Sequence, residues 1–333
     1  MKLDGYALKQ LSEMLVVRAE LEFKRDIQLA ARMFPRRTRS AWFPSQERII
    51  NGDDAAALPG PDGYTLFAAE GMRPEFVAAD PWFAGFSSVL VNVNDIAAMG
   101  GRPWAVVDVL FLGSGVNERL LEGMAEASAV FGVPVVGGHT TRINAPSALA
   151  VAVVGKAKRL ISSAAARPGQ VLLSAVDLRG SFRGPGGNFN AATTAPGRQL
   201  RAQLEVLPEL AENALVCAGK DISMAGTCGT LLMLLEASGT GAVLDLARLP
   251  APSAVDPLRW LSAFPSFGFL LSVEPKHVNA VCARFDAVGV VCAPIGELTS
   301  SRKLELHYEG ESALYWDLAQ ASLTGFGGAG ETE

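Results

Sequence analysis

The sequence predicts a two-domain protein of mixed α and β class, with sheets covered by helices. Three observations lead there. The chain has 333 residues, 49% hydrophobic and 19% charged, which is too long for one average domain of about 150 residues and too apolar for disorder. From Ile49 onward, apolar runs of strand length alternate with segments of helical periodicity, the pattern of a sheet with helices packed on it. That alternation occurs twice, on either side of a connector at 160–169.

Over about 6–33, Leu8, Leu11, Leu15, Ile27, Ala30 and Ala31 recur at helical spacing among charges, so residues 1–45 read as a helical N-terminal extension. Arg32, Arg36, Arg37 and Arg39 follow around Pro35, ahead of Trp42 and Phe43. This basic patch reads either as a solvated linker or as a clamp for anionic groups. The first domain, 46–158, contains strand-like 64–69, a helix over 86–99, a strand over 104–112, a helix over 118–131 and strand-like runs at 133–136 and 148–154. The second, 165–310, contains a strand at 171–175, helices over 197–215 and 227–238, a strand at 267–273, a helix over 276–285 and strands at 288–295 and 303–308. The Gly-rich, acidic segment 322–333 reads as a flexible tail.

Composition excludes several functions. A net charge of −5 argues against a nucleic-acid partner, because a basic surface is needed to displace counterions. The apolar runs 149–154 and 231–235 end far short of the roughly 18 residues a membrane span needs, and the first ten residues do not resemble a signal peptide. The expectation is therefore a soluble, cytoplasmic protein. Four cysteines, Cys217, Cys228, Cys282 and Cys292, match no metal-finger spacing and read as reduced and buried. With only His139, His277 and His307 available, metal chemistry falls to the carboxylates.

The candidate chemistry lies in four motifs. Asn51-Gly52-Asp53-Asp54-Ala55-Ala56 sets two carboxylates side by side in a turn; the repulsion is relieved by solvent or by a hard dication such as Mg²⁺. Asn92 and Asp95 are three apart and share a helix face in a run of small and apolar residues, where an acid is costly unless partnered. Gly137-Gly138-His139-Thr140 follows an apolar run and reads as a turn open to close approach by a ligand. Asp221 precedes Ile222-Ser223 and a Gly-containing helix start, where an anion can bind or where Ser223 or Thr227 serves as a cap. The loop Gly184-Pro185-Gly186-Gly187 has no Lys-Ser or Lys-Thr after it and is not a P-loop.

In this order, with Asp80-Pro81 and Gly85 between the first two, these motifs resemble the AIR synthase superfamily of aminoimidazole ribonucleotide synthetase, thiamine-monophosphate kinase, selenophosphate synthetase and HypE. The resemblance runs from about Ile49 to Tyr308. It implies two α/β domains, an α+β fold in which N-terminal strands of two subunits close a β-barrel across a homodimer, and a site for ATP and Mg²⁺. It also implies Asp53, Asp54, Asp95 and Asp221 as metal ligands, with Glu70 a fifth candidate. Asp54 and Asp95 would be the catalytic acids. Asn92, Gly137, Gly138, His139, Thr140 and Asp221 would bind the nucleotide. The near-continuous apolar runs 104–112 and 148–154 support the dimer, since they suit strands covered on both faces.

Departures from the family forms mark a separate branch. The first cysteine is Cys217, far from the N-terminal position selenophosphate synthetase uses; the chain ends Gly-Glu-Thr-Glu rather than in the HypE cysteine; Met224 and His139 stand where relatives carry acids. The expected function is ATP- and Mg²⁺-dependent phosphorylation or activation of a small metabolite. The alternatives are a nucleotide-binding accessory protein that works with a partner enzyme and, less favoured, a selenophosphate synthetase-like enzyme.

Overall fold

The computed structural model describes residues 1–42, 48–113, 118–184 and 186–327. Phe43, Pro185 and the last six residues of the tail lie outside them. The chain divides into two compact units, one of residues 54–160 with 192–209, the other of 1–53, 161–191 and 210–333.

The first unit is built on a five-stranded sheet in the order Ala56–Gly60, Gly63–Met72, Ala148–Ala157, Arg102–Leu112, Val135–Arg142. Neighbours are antiparallel except the last pair, whose parallel pairing requires a crossover; the helix Glu118–Phe131 supplies it. Alternation sorts the side chains by face. Val106, Leu110, Leu149, Val151 and Val153 are buried, whereas Val107, Val109, Phe111 and Phe67 are exposed. The helix Pro81–Ala98 packs on the buried face, with Ile96 against Gly155. Asp80 starts this helix by accepting a hydrogen bond from Phe83 N–H at 3.2 Å, ahead of Pro81 in the first turn. The helix is mostly apolar and is buried from Phe83 onward, its polar Ser87, Ser88, Asn92, Asn94 and Asp95 included. Beside it, Leu120, Met124, Ala127 and Phe131 form the buried stripe of the crossover helix, with Phe86 and Phe131 rings 6.0 Å apart.

The sheet is open within the chain, its edges being Ala56–Gly60 and Val135–Arg142; the barrel expected from the resemblance is not closed by one copy. The strand read at 133–136 runs instead from Val135 to Arg142, because its parallel ladder with Arg102–Leu112 continues to the Leu112 and Arg142 pair. Gly137-Gly138-His139-Thr140 is therefore strand, not turn.

The second unit holds a seven-stranded sheet in the order Ala218–Asp221, Gly268–Val273, Val171–Val176, Val291–Thr299, Gly241–Asp245, Lys303–Tyr308, Glu311–Asp317. The helix Gly226–Ser238 is buried along most of its length and ends at Gly239 in the left-handed region. The N-terminal segment is three helices, Leu8–Val16, Ala19–Arg25 and Ile27–Met33, with extended backbone at Arg18 separating the first two. Leu8, Leu11 and Leu15 enter the core of this unit, so the segment is integral to it. Arg36 donates to the Ala237 carbonyl at 3.1 Å, at the end of the helix Gly226–Ser238. Part of the segment assigned to a tail is also anchored: Leu323 N–H, Thr324 N–H, Thr324 hydroxyl and Gly325 N–H all donate to the buried Glu236 carboxylate. No described helix is long and apolar enough to cross a membrane.

Candidate functional site

The carboxylates of Asp54 and Asp95 come together, with ligand oxygens within 4.8 Å of each other. Asp54 leads into the edge strand Ala56–Gly60, and Asp95 sits one turn before the end of the helix Pro81–Ala98, 6% exposed. Asn92, one turn earlier on the same helix, is fully buried; its Nδ2 donates to the Ser88 carbonyl at 2.8 Å, while its Oδ1 has no hydrogen-bond partner. Two carboxylates this close repel, and the buried one is costly without an opposite charge. The orphaned Asn92 oxygen adds a further acceptor. An all-oxygen donor set of this kind suits a hard dication.

Asp53, the neighbour of Asp54, is held by hydrogen bonds of its own. Its carboxylate accepts from Ser162 Oγ at 2.6 Å, Ser163 Oγ at 2.7 Å and Ser163 N–H at 3.1 Å, tying the turn to the short helix Ser163–Ala165.

Glu70 lies on the strand Gly63–Met72 opposite Val151, and Val151 in turn lies opposite Asp108 on Arg102–Leu112. Glu70 and Asp108 thus share the helix-facing side of the sheet, one strand apart. The row ends at Gly138, in register with Asp108. A Cβ on Gly138 would collide with the Asp108 carboxylate, whereas one on Gly137 would meet only Val107 at an ordinary 3.9 Å. Gly138 is therefore the member of the Gly-Gly pair that sterics require. Burial pushes the Asp108 carboxyl above its usual range, partly offset by a backbone hydrogen bond. The sequence reading missed Asp108, although an acid inside the apolar run 104–112 is a visible signal.

Strand alternation also splits the Gly137-Gly138-His139-Thr140 motif. Gly138 and Thr140 are in register with Asp108 and Leu110, while Gly137 and His139 are in register with the exposed Val107 and Val109. His139 Nε2 lies 2.9 Å from the Thr141 hydroxyl, two residues along on the same face.

In the other unit, Lys220 and Asp221 are both buried at the end of the edge strand Ala218–Asp221. Neither Ser223 nor Thr227 caps the helix that follows. Its N-cap, Ala225, has no side-chain bond, and Ser223 N–H donates instead to Thr230 Oγ1 at 3.0 Å.

Comparison with known proteins identifies the family of the two domains. The model of the AIR synthase related protein N-terminal domain matches residues 52–157, and that of the C-terminal domain matches 186–309. The uncharacterized protein sll0787 of Synechocystis sp. is 48% identical over 308 residues, covering 92% of this chain and 94% of the relative. Among solved structures, PurL of T. maritima complexed with ATP superposes with a TM-score of 0.67 at 20% identity, over 86% of this chain and 47% of PurL. This chain therefore spans less than half of that protein. AaThiL complexed with AMPPCP and TMP gives a TM-score of 0.62 at 18% identity, over 80% of this chain and 91% of AaThiL. At these identities the structures speak for the fold. With both domain models matched in order and a relative 48% identical over nearly its whole length, the chain belongs to the AIR synthase-related family.

Proposed function

We propose that the protein is an ATP- and Mg²⁺-dependent enzyme that phosphorylates or otherwise activates a small metabolite. The observation that carries this reading is the buried Asp95 carboxylate within 4.8 Å of Asp54, in a fold shared with proteins solved with ATP and AMPPCP. Asp54 and Asp95 would hold Mg²⁺, and Asn92 Oδ1, one helical turn before Asp95, is a further oxygen acceptor. Glu70, on the helix-facing side of the five-stranded sheet, is carried as a further acid by the family resemblance. Asp221 is carried as a ligand by the family resemblance, as are Gly137, Gly138, His139 and Thr140 as nucleotide contacts. Bound Mg²⁺ would supply charge neutralisation of the phosphates, the main requirement of phosphoryl transfer besides positioning. Asp53 supports the site differently, by fixing the turn through Ser162 and Ser163.

A homodimer belongs to this reading. Val107, Val109, Phe111 and Phe67 leave the outer face of the five-stranded sheet apolar and exposed, an unusual surface for a monomer. A second copy laid on that face would cover it and would lie over His139 and Thr141.

The accessory-protein reading is the second. It is favoured by Asp53 being committed to Ser162 and Ser163 and by Met224 and His139 standing where relatives carry acids, each of which removes charge available to Mg²⁺. Measuring ADP, AMP and phosphate release with Mg²⁺·ATP across a panel of small acids, amides and phosphorylated compounds separates the two. Metabolite-dependent turnover supports the enzyme; slow hydrolysis indifferent to every compound supports the accessory role.

A further inference from the structure

Two of the four cysteines face each other, outside the carboxylate site. Cys282 lies mid-way along the helix Val278–Asp286, and Cys292 is the second residue of the strand Val291–Thr299. Their Sγ atoms are 3.6 Å apart, and both residues are half-buried. Only 287–290 joins the helix to the strand, so this proximity is a consequence of a short helix-to-strand return.

The other two thiols differ. Cys228 is fully enclosed and its thiol is pushed up to about 12 by burial. Cys217 is raised by burial and by the nearby Glu274 carboxylate, 3.9 Å away. At Cys282 the direction reverses: the hydrogen bond it shares with Cys292 lowers its thiol, while Cys292 moves upward. Of the two sulfurs, Cys282 is the one whose thiolate the pairing favours, and the thiolate is the nucleophile in thiol chemistry. A disulfide needs sulfurs about 2.05 Å apart, so the two sulfurs, 3.6 Å apart, have a short distance to close.

We propose that Cys282 and Cys292 form an oxidisable dithiol that a peroxide converts to an intramolecular disulfide, Cys282 being the attacking and Cys292 the resolving sulfur. In the first step Cys282 Sγ attacks one peroxide oxygen and the O–O bond breaks. The departing hydroxide takes a proton and leaves as water, and Cys282 becomes a sulfenic acid. In the second, Cys292 Sγ attacks that sulfur and the S–O bond breaks. A second water leaves with the Cys292 proton and the S–S bond forms. Two thiols lose two electrons in total, and one peroxide becomes two waters. The proposal is independent of the nucleotide reading, since none of its atoms belong to that site.

The test is titration of the reduced full-length protein with hydrogen peroxide, followed by thiol counting and peptide mass mapping. The expected result is loss of two thiols together, a peptide cross-linked between 282 and 292 that is lighter by two hydrogens, and full recovery with a dithiol reductant. In Cys292→Ser, a sulfenic acid should persist at Cys282 and be trapped by dimedone. In Cys282→Ser, peroxide consumption should fall by at least about tenfold with the loss of the thiolate. Circular dichroism of both variants checks folding, and the wild-type cross-link stands without them. Three results overturn the proposal: oxidation of Cys282 to sulfinic acid with no cross-link, survival of both thiols at peroxide levels that oxidise free cysteine, or consumption of Cys217 first.

Discussion

The ring of Phe326 occupies the space that a side chain on residue 52 would take: a Cβ on Gly52 would lie 2.6 Å from Phe326 Cγ. Gly52 also has φ +91, in the left-handed region that favours glycine. A C-terminal aromatic thus backs the turn that presents Asp53 and Asp54. Gly52→Ala is expected to destabilise the protein by about 2 kcal/mol or more, since strain and overpacking act together. Phe326→Ala should cost about 3 kcal/mol by opening a cavity. Urea unfolding measures both; midpoints unchanged from wild type would refute the contact.

Glu236 is 2% exposed and accepts four hydrogen bonds from Leu323, Thr324 and Gly325. Truncation to alanine leaves four donors without their acceptor. A loss of about 2–4 kcal/mol is expected from bonds to a charged group, with amide exchange rising first at 323–325. Protection there equal to wild type would contradict the anchoring role.

Burial raises the Asp108 carboxyl above its unfolded value, so the folded state binds this proton more tightly than the unfolded state. The resulting stability is fully present below the unfolded pKa of about 3.9 and is lost as pH rises through the folded value. Asp108→Asn does not titrate. Its stability relative to wild type should therefore increase as pH is raised from about 4 to neutrality. A difference independent of pH would remove the desolvated carboxyl from the account.

On the outer face of the five-stranded sheet, Phe111 is 38% exposed and Val109 also 38%. Phe111→Glu places a charge in the face proposed to be covered by a second copy, and should weaken self-association at least about tenfold. Sedimentation velocity should show a dimer for wild type and a lighter species for the variant, with unchanged circular dichroism. A wild-type monomer at all concentrations would contradict the homodimer.

Much of the fold was legible because periodicity and burial agree. The crossover helix Glu118–Phe131 and the strand Lys303–Tyr308 follow the sequence pattern to the residue. The burial of Asp95 was legible for a related reason, because an acid in the run Val91–Ile96 has to be buried on the helix; its pairing with Asp54 followed only from the family resemblance. Long-range and geometric facts were not. Asp53 and Asp54 are indistinguishable as neighbours in sequence, and what separates them is Ser162 and Ser163, more than a hundred positions away. Two glycines before His139 look like a turn until the parallel ladder makes them strand, and only alternation shows that Gly138 and His139 serve opposite faces. The anchoring of Leu323–Gly325 by Glu236 has no local signal at all, because the segment is Gly-rich and its partner is a helix residue far upstream.

The central claim is that Asp95 and Asp54 hold Mg²⁺ for a bound nucleotide. Calorimetric titration of the purified protein with AMPPCP, with and without Mg²⁺, and again on Asp95→Asn, tests it most directly. The account predicts binding that requires Mg²⁺ and is weakened at least about tenfold in the variant, the loss of one charged ligand being worth more than about 1.4 kcal/mol. Binding of equal strength in Asp95→Asn, or none by the wild type in either condition, would contradict it.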